Sequence, residues 1–366
     1  MTATLGILTS GGDCAGLNAV IRAATDAAAL RGWRVLGLRN GHLGLLASPP
    51  DVVSLTADSV RSDLLRLGGT MLGTTTKGDP FNYPGPDGRN QDVSEQVRNA
   101  LKALGITHLL VIGGDGSMRV FDRLLAPSQI PWVGVPKTID NDVPGTEFAV
   151  GFITAVTFVG EALDRLSSTA ASHRRIMLLE AMGRDSGFLA LFGGVAGGAD
   201  VILLPEFPYD IGAVAAHIKN ITHDRPSPVL VVVAEGVLRP DQDRRRRGSV
   251  GPDIAAELEK LTGFDARSTV LGHVQRGGSP VAFDRLLASS FGVHGVELLA
   301  RGETRKMVAW RGGVVSDLPM AEAVTGPRFV TASSPLVRTA LNLGIYLGES
   351  VCAEPREAVP NGPAQA

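Results

Sequence analysis

The chain has 366 residues, 44% of them hydrophobic and 20% charged, with a formal net charge of −2. That length exceeds one ordinary core and predicts two domains, while the apolar content excludes a disordered chain. A near-neutral charge offers no global attraction to nucleic acid or to an anionic membrane, so any phosphate recognition must be local.

The opening, MTATLGILTS, has neither the basic start nor the long apolar core of a secretory leader. No uninterrupted apolar run reaches transmembrane length, and a cytoplasmic protein is expected. The two cysteines, Cys14 and Cys352, lie too far apart in sequence to form a metal-type cluster.

Strand and helix signals alternate from the first residues. Residues 5–10 predict a strand, 11–16 a glycine turn and 17–30 an alanine-rich helix. Further strands are expected at 35–38, 108–112, 132–135, 175–180 and 229–234, all short apolar runs bounded by turn residues. Continuous apolar strands separated by helices imply an α/β fold, with parallel sheet covered on both faces. A domain boundary is expected near 145–155, where Pro144-Gly145 precedes a helical pattern. Residues 78–92 and 239–252 read as loops, the second carrying four arginines at 244–247. Those arginines read as a solvated loop or as an anion-effector loop. The tail over 351–366 is expected to fray.

Five segments carry candidate chemistry. LTSGGDCAGLN, residues 8–18, is a strand, a Gly-Gly turn and a helix start. Such a turn brings backbone N–H groups to a phosphate, or is merely a tight connection. VIGGDGS, residues 111–117, repeats that architecture around Asp115. Polyphosphate transfer requires a divalent cation, and Mg²⁺ typically takes one or two carboxylates, so Asp115 is a candidate metal ligand. It is equally a candidate helix cap. PKTIDND, residues 136–142, packs Lys137, Thr138, Asp140 and Asp142 together. In an extended segment the two carboxylates project to one side, and one of them can accept the proton of a poorly nucleophilic sugar hydroxyl. Asp-Asn-Asp is also ordinary turn chemistry. MGRDSG, residues 182–187, and LGHVQRGGSP, residues 271–280, supply Arg184, His273, Gln275 and Arg276, the arginines being natural phosphate partners.

These five motifs, in this order from about residue 4 to residue 300, resemble the phosphofructokinase family. The resemblance implies two Rossmann-like three-layer α/β domains with the active site in the cleft between them. One is a phosphoryl-donor domain over 1–150 with about 268–310; the other is a fructose 6-phosphate domain over 151–267 with about 311–350. It implies transfer of a phosphoryl group to O1 of fructose 6-phosphate. Asp140 would be the general base, with Thr138 and Asp142 positioning the reacting groups. Arg184 would stabilise the transferring phosphoryl, and Lys137 would add a cation beside it. Asp115 would hold Mg²⁺, while Gly12, Gly114, Gly116 and Ser117 cradle the donor. Met182, Gly183, Glu235, His273, Gln275 and Arg276 would surround the sugar phosphate, with Thr138 and Asp140 on its other side. Arg175 and Arg267 would reach in from a neighbouring subunit, which implies at least a dimer and commonly a tetramer.

The chain departs from the best-known bacterial pattern in its donor and effector positions. TTTK replaces the expected donor-contacting arginine, making Lys77 the substitute, with Thr76 beside it. In the first helix Arg22 is followed by Asp26 at an expected effector arginine, and an acid there repels a nucleotide diphosphate. GGDG resembles ATP users and PKTIDND resembles pyrophosphate users. Gly116 favours ATP, because an aspartate there would obstruct and repel an α-phosphate, whereas Lys137 suits either donor; pyrophosphate is the alternative donor.

Overall fold

A computed structural model describes residues 2–85, 88–223, 228–238, 248–348 and 351. The chain divides into two compact units, one of Met1–Glu161 with Leu271–Phe329 and one of Ala162–Val270 with Val330–Ala366.

The first unit is built on a seven-stranded sheet. Five central strands run parallel, in the spatial order Lys306–Arg311, Trp132–Pro136, His108–Gly113, Thr4–Thr9 and Arg34–Leu38. Strands Val314–Pro319 and Val52–Leu55 close the two edges antiparallel. The central strands are buried almost throughout, which their unbroken apolar sequences require. Helices cover both faces. A Cβ on Gly134 would strike Met118 of helix Asp115–Leu125 at 2.5 Å and Met320 at 2.9 Å. Val133 and Val135, its strand neighbours, instead approach Gly295 of helix Ala282–Ala300. Side chains alternate across a strand, so these helices lie on opposite faces. Helix Leu17–Ala29 packs along Ala282–Ala300, completing that layer.

The second unit holds a four-stranded parallel sheet, in the order Ala266–Val270, Ile176–Ala181, Val229–Ala234 and Val201–Leu203. Helix Gly251–Thr262 meets Leu178 and Glu180 through Gly251, and helix Phe188–Ala196 meets Ile202 and Val232 through Gly194. Leu178 pairs with Val231, so Val232 faces the other way and this sheet too is covered on both sides. The α/β class with parallel sheets is as the sequence predicts.

The unit boundaries fall elsewhere than expected. The first crossing lies at 161/162, inside helix Phe152–His173, rather than at 150. The final crossing lies at 329/330 rather than 310, because strand Lys306–Arg311 pairs with Trp132–Pro136 and brings its hairpin partner Val314–Pro319 into the first sheet. Within the expected 78–92 loop, Tyr83–Pro84 pairs antiparallel with Asn90–Gln91. Arg244 to Arg247, Cys352 and the tail beyond Val351 lie outside the described residues. Among the described residues no helix is long and apolar enough to cross a membrane.

Candidate active site

Three of the five motifs leave the carboxyl ends of adjacent strands in the first sheet. Strands Thr4–Thr9, His108–Gly113 and Trp132–Pro136 are neighbours, and the chain passes from Thr4–Thr9 to one side of the sheet before returning to the other. This is the topological switch point at which open α/β sheets bind ligands. The loops are tied to one another by backbone bonds. Ser10 N donates to Ile112 O at 2.9 Å, Lys137 N to Gly113 O at 3.0 Å, and Gly11 N to Thr75 O at 2.9 Å.

Between the Gly11 turn and the start of helix Asp115–Leu125 lies a pocket of about 340 Å³. Gly11, His42, Lys77, Asp79, Gly116 and Ser117 are among its lining residues. Three predicted donor residues, Lys77, Gly116 and Ser117, thus share one cavity. Glycine at 116 is not demanded by the fold, since an added Cβ meets nothing within 4 Å. The space beside it belongs to the pocket.

Gly12 sits under a guanidinium. An added Cβ there would lie 2.6 Å from Arg276 Nη1, which donates to Asp13 O at 3.1 Å. Arg276 therefore packs on the first Gly-rich turn. It closes the short helix Gly272–Arg276, which also carries exposed His273 and buried Gln275, whose amide donates to Gly272 O at 2.9 Å.

Asp115 is the first residue of its helix, and Gly114 occupies the cap position with no side-chain capping bond. The capping alternative thus falls away. Asp115 Oδ2 accepts from Arg119 Nη2 at 2.5 Å, one turn on. Its Oδ1 is buried and has no hydrogen-bond partner among the described residues. Such an atom is costly to bury unless a ligand completes it.

PKTIDND bends where an extended segment was expected. Asn141 has φ +54°, so Asp140 and Asp142 flank a left-handed residue rather than sit two apart on a strand. Asparagine tolerates this conformation, and its side chain secures it. Nδ2 donates to Glu147 O and Oδ1 accepts from Ala149 N, both at 2.9 Å. Exposure nevertheless alternates: Thr138, Asp140 and Asp142 are partly accessible while Lys137, Ile139 and Asn141 are buried. Thr138 Oγ1 accepts from Asp140 N at 3.1 Å. Burial raises the Asp142 carboxyl above the usual range; nearby Asp115 adds to that rise, and Thr138 and Arg328 oppose it.

Lys137 does not face open solvent. It is 3% exposed and donates from Nζ to Gly12 O at 2.5 Å. Burial pulls its ammonium down to about 8, and the neighbouring Arg276 pushes the same way. Next to it, Cys14 is wholly buried and donates to Val150 O at 3.2 Å, its thiol pushed up to about 12 by burial.

The second unit gathers another set. Met182, Gly183 and Arg184 follow strand Ile176–Ala181, and Glu235 follows its neighbour Val229–Ala234. Gly183 has φ +128° and accepts from Gly236 N at 3.1 Å, while Glu235 N donates to Ala181 O at 2.8 Å. Arg184 is 83% exposed, with Asp185 as its partner at 3.1 Å. Arg175 and Arg267 are not part of this group. Both pair with Asp265, at the amino ends of strand Ile176–Ala181 and its other neighbour Ala266–Val270, Arg267 at 2.6 Å. Six strand residues separate Arg175 from Met182, about 20 Å along the strand.

Neither His42 in the pocket wall nor Arg328 carries a local signal in the sequence. Arg119 was in principle legible as the i+4 partner of Asp115. In the first helix Arg22 Nε lies 3.7 Å from Asp26 Oδ2, so the acid at the expected effector position pairs with the arginine before it.

Comparison with known proteins agrees with this geometry. The phosphofructokinase family model matches residues 4–299. The ATP-dependent 6-phosphofructokinase 1 of Nostoc sp. (strain PCC 7120) is 48% identical over 94% of this chain and 98% of its own length. The Synechocystis sp. (strain PCC 6803) protein of the same name is 46% identical over the same shares. Among solved structures, Pichia pastoris phosphofructokinase in the T-state superposes with a TM-score of 0.78 at 30% identity, over 94% of this chain but 37% of that longer one. A pyrophosphate-dependent phosphofructokinase from Marinobacter aquaeolei reaches 0.80 at 21% identity over 95% and 89%, a likeness of fold alone. A family model spanning most of the chain, with near full-length relatives approaching half identity, leaves one assignment: the chain belongs to the phosphofructokinase family.

Proposed function

We propose that the chain is an ATP-dependent 6-phosphofructokinase, transferring the γ-phosphoryl of ATP to O1 of fructose 6-phosphate to give fructose 1,6-bisphosphate. The observation that carries the choice of donor is the open space at Gly116 in the pocket wall, where a nucleotide's α-phosphate and nucleoside find neither bulk nor negative charge. The names of the two cyanobacterial relatives support the same donor.

Asp140 is the general base that takes the sugar O1 proton as the O–P bond forms, and Thr138 holds the Asp140 backbone. Asp142 positions the reacting groups. Lys137 fixes the carbonyl of Gly12 and so shapes the turn whose N–H groups, with those of Gly114, Gly116 and Ser117, cradle the donor. Lys77, which lines the same pocket, reaches the donor there. The residues fit Mg²⁺, which needs one or two carboxylates beside phosphate and water oxygens: Asp115 offers a buried, unpartnered Oδ1. When bound, that ion neutralises charge on the donor's phosphate oxygens.

Exposed Arg184 stabilises charge on the transferring phosphoryl, and Met182, Gly183, Glu235, His273, Gln275 and Arg276 bind the sugar phosphate. Arg175 and Arg267, at the far end of their sheet from Met182, serve the site of a neighbouring subunit, which requires a dimer at least and favours a tetramer. A coupled assay with fructose 6-phosphate, Mg²⁺ and either ATP or pyrophosphate tests the reading. Activity with ATP supports it; activity with pyrophosphate alone overturns the choice of donor.

A further inference from the structure

We infer that Arg328 is a positioning residue for the phosphoryl-transfer turn, acting through the backbone of Asn141, Asp142 and Glu147. This rests on the reading of Asp140 as the base. Arg328 lies 186 positions beyond Asp142 and belongs to no helix or strand. Its Nε donates to Asn141 O at 2.7 Å, its Nη2 to Glu147 O at 3.0 Å, and its backbone N to Asp142 O at 2.9 Å.

Both ends of the 141–147 loop are therefore bridged by one planar guanidinium, whose fork fixes the spacing of the two carbonyls it reaches. Asn141 ties the same ends from within, through Nδ2 to Glu147 O. Glu147 O thus accepts from both residues. Two such ties restrain a turn whose central residue is left-handed and whose flanking carboxylates stay accessible.

The choice of an arginine points to function rather than loop closure alone. A half-buried guanidinium is costly where its donors go to neutral carbonyls, and burial lowers its proton affinity. Its charge is offset by the negative charge of Asp142 and of Glu147. A cation at that place holds the loop and steadies the acid within it, so loss of Arg328 lets the Asp140 carboxylate drift from the line of proton transfer. Misplacement by about 1 Å is enough to slow turnover by roughly a hundredfold.

The test measures kcat and KM for ATP and fructose 6-phosphate in the full-length parent, Arg328→Ala, Arg328→Lys and Asp140→Ser, at a temperature where circular dichroism shows each folded. Arg328→Ala should lose kcat by roughly tenfold to a hundredfold, with both KM values within about threefold of the parent. Arg328→Lys should fall between the two, and added guanidinium should restore part of the alanine variant's kcat. Unchanged kcat in folded Arg328→Ala overturns the inference, as does a loss confined to KM or one that guanidinium and lysine leave unrelieved. If the alanine variant does not fold, Arg328→Lys decides alone: parent-like kcat refutes positioning by the fork, and reduced kcat with parent-like KM supports it. A parent inactive on fructose 6-phosphate overturns the proposed function, and a fully active Asp140→Ser overturns the reading of Asp140 as the base; either result takes this inference with it.

Discussion

Replacing Gly116 by aspartate separates the two phosphoryl donors by charge. The backbone at 116 is not left-handed and an added Cβ meets nothing within 4 Å, so the fold accepts the change. In the first turn of helix Asp115–Leu125, exchanging glycine for a residue with a side chain should leave stability unchanged or raise it by as much as about 1 kcal/mol. The donor is affected instead. A carboxylate roughly 5 Å from an α-phosphate, at an effective dielectric of about 20, costs about 3 kcal/mol, or roughly two orders of magnitude in kcat/KM for ATP. Pyrophosphate has no α-phosphate or nucleoside and should lose far less. The assay compares kcat/KM for both donors in the parent, Gly116→Ala and Gly116→Asp, with thermal unfolding alongside. Alanine should change the donor ratio little, because it adds bulk without charge. Equal losses with both donors in Gly116→Asp, or a loss in Gly116→Ala as large as in Gly116→Asp, would refute the electrostatic reasoning.

Three further outcomes test the site. Asp140→Ser should lower kcat by about 10²–10⁴ while isothermal titration still shows fructose 6-phosphate binding, as expected for removal of a general base. Asp115→Asn should raise the Mg²⁺ concentration needed for half-maximal rate, read from a magnesium titration at saturating ATP, with unfolding little changed. Lys137 titrates at about 8 in the fold against an ordinary 10.5, so the unfolded chain holds the extra proton between those values. Its contribution to stability therefore rises as pH climbs from 8 to 10.5, and denaturant midpoints of Lys137→Met should lack that rise.

Apart from Lys306–Arg311, whose ends are polar, the central parallel strands of the first sheet were legible because they are buried on both faces and so read as unbroken apolar runs. The edges were not: Val314–Pro319 has mixed burial, and its place is set by pairing with Lys306–Arg311 rather than by its own pattern. The loops that carry Gly12, Asp115 and Asp140 announced themselves because their glycines and acids are packed into a few adjacent residues. What the sequence could not show was how they are held. The bend at Asn141 follows from side-chain bonds to Glu147 and Ala149, and Arg328 arrives from the end of the first unit with no local pattern to mark it. Likewise Lys137 reads as an open cation, whereas its ammonium is buried and spends one of its three donors on the carbonyl of Gly12.

Cys14 gives the donor turn a clock of its own. A thiol wholly enclosed, bonded to Val150 O and held almost fully protonated near neutral pH reacts with an alkylating reagent only when the turn around it opens. With Cys352 replaced by serine, Cys14 is the single thiol of the chain. At reagent concentrations where labelling outpaces reclosing, its labelling rate is the opening rate of the loop between Thr4–Thr9 and Leu17–Ala29.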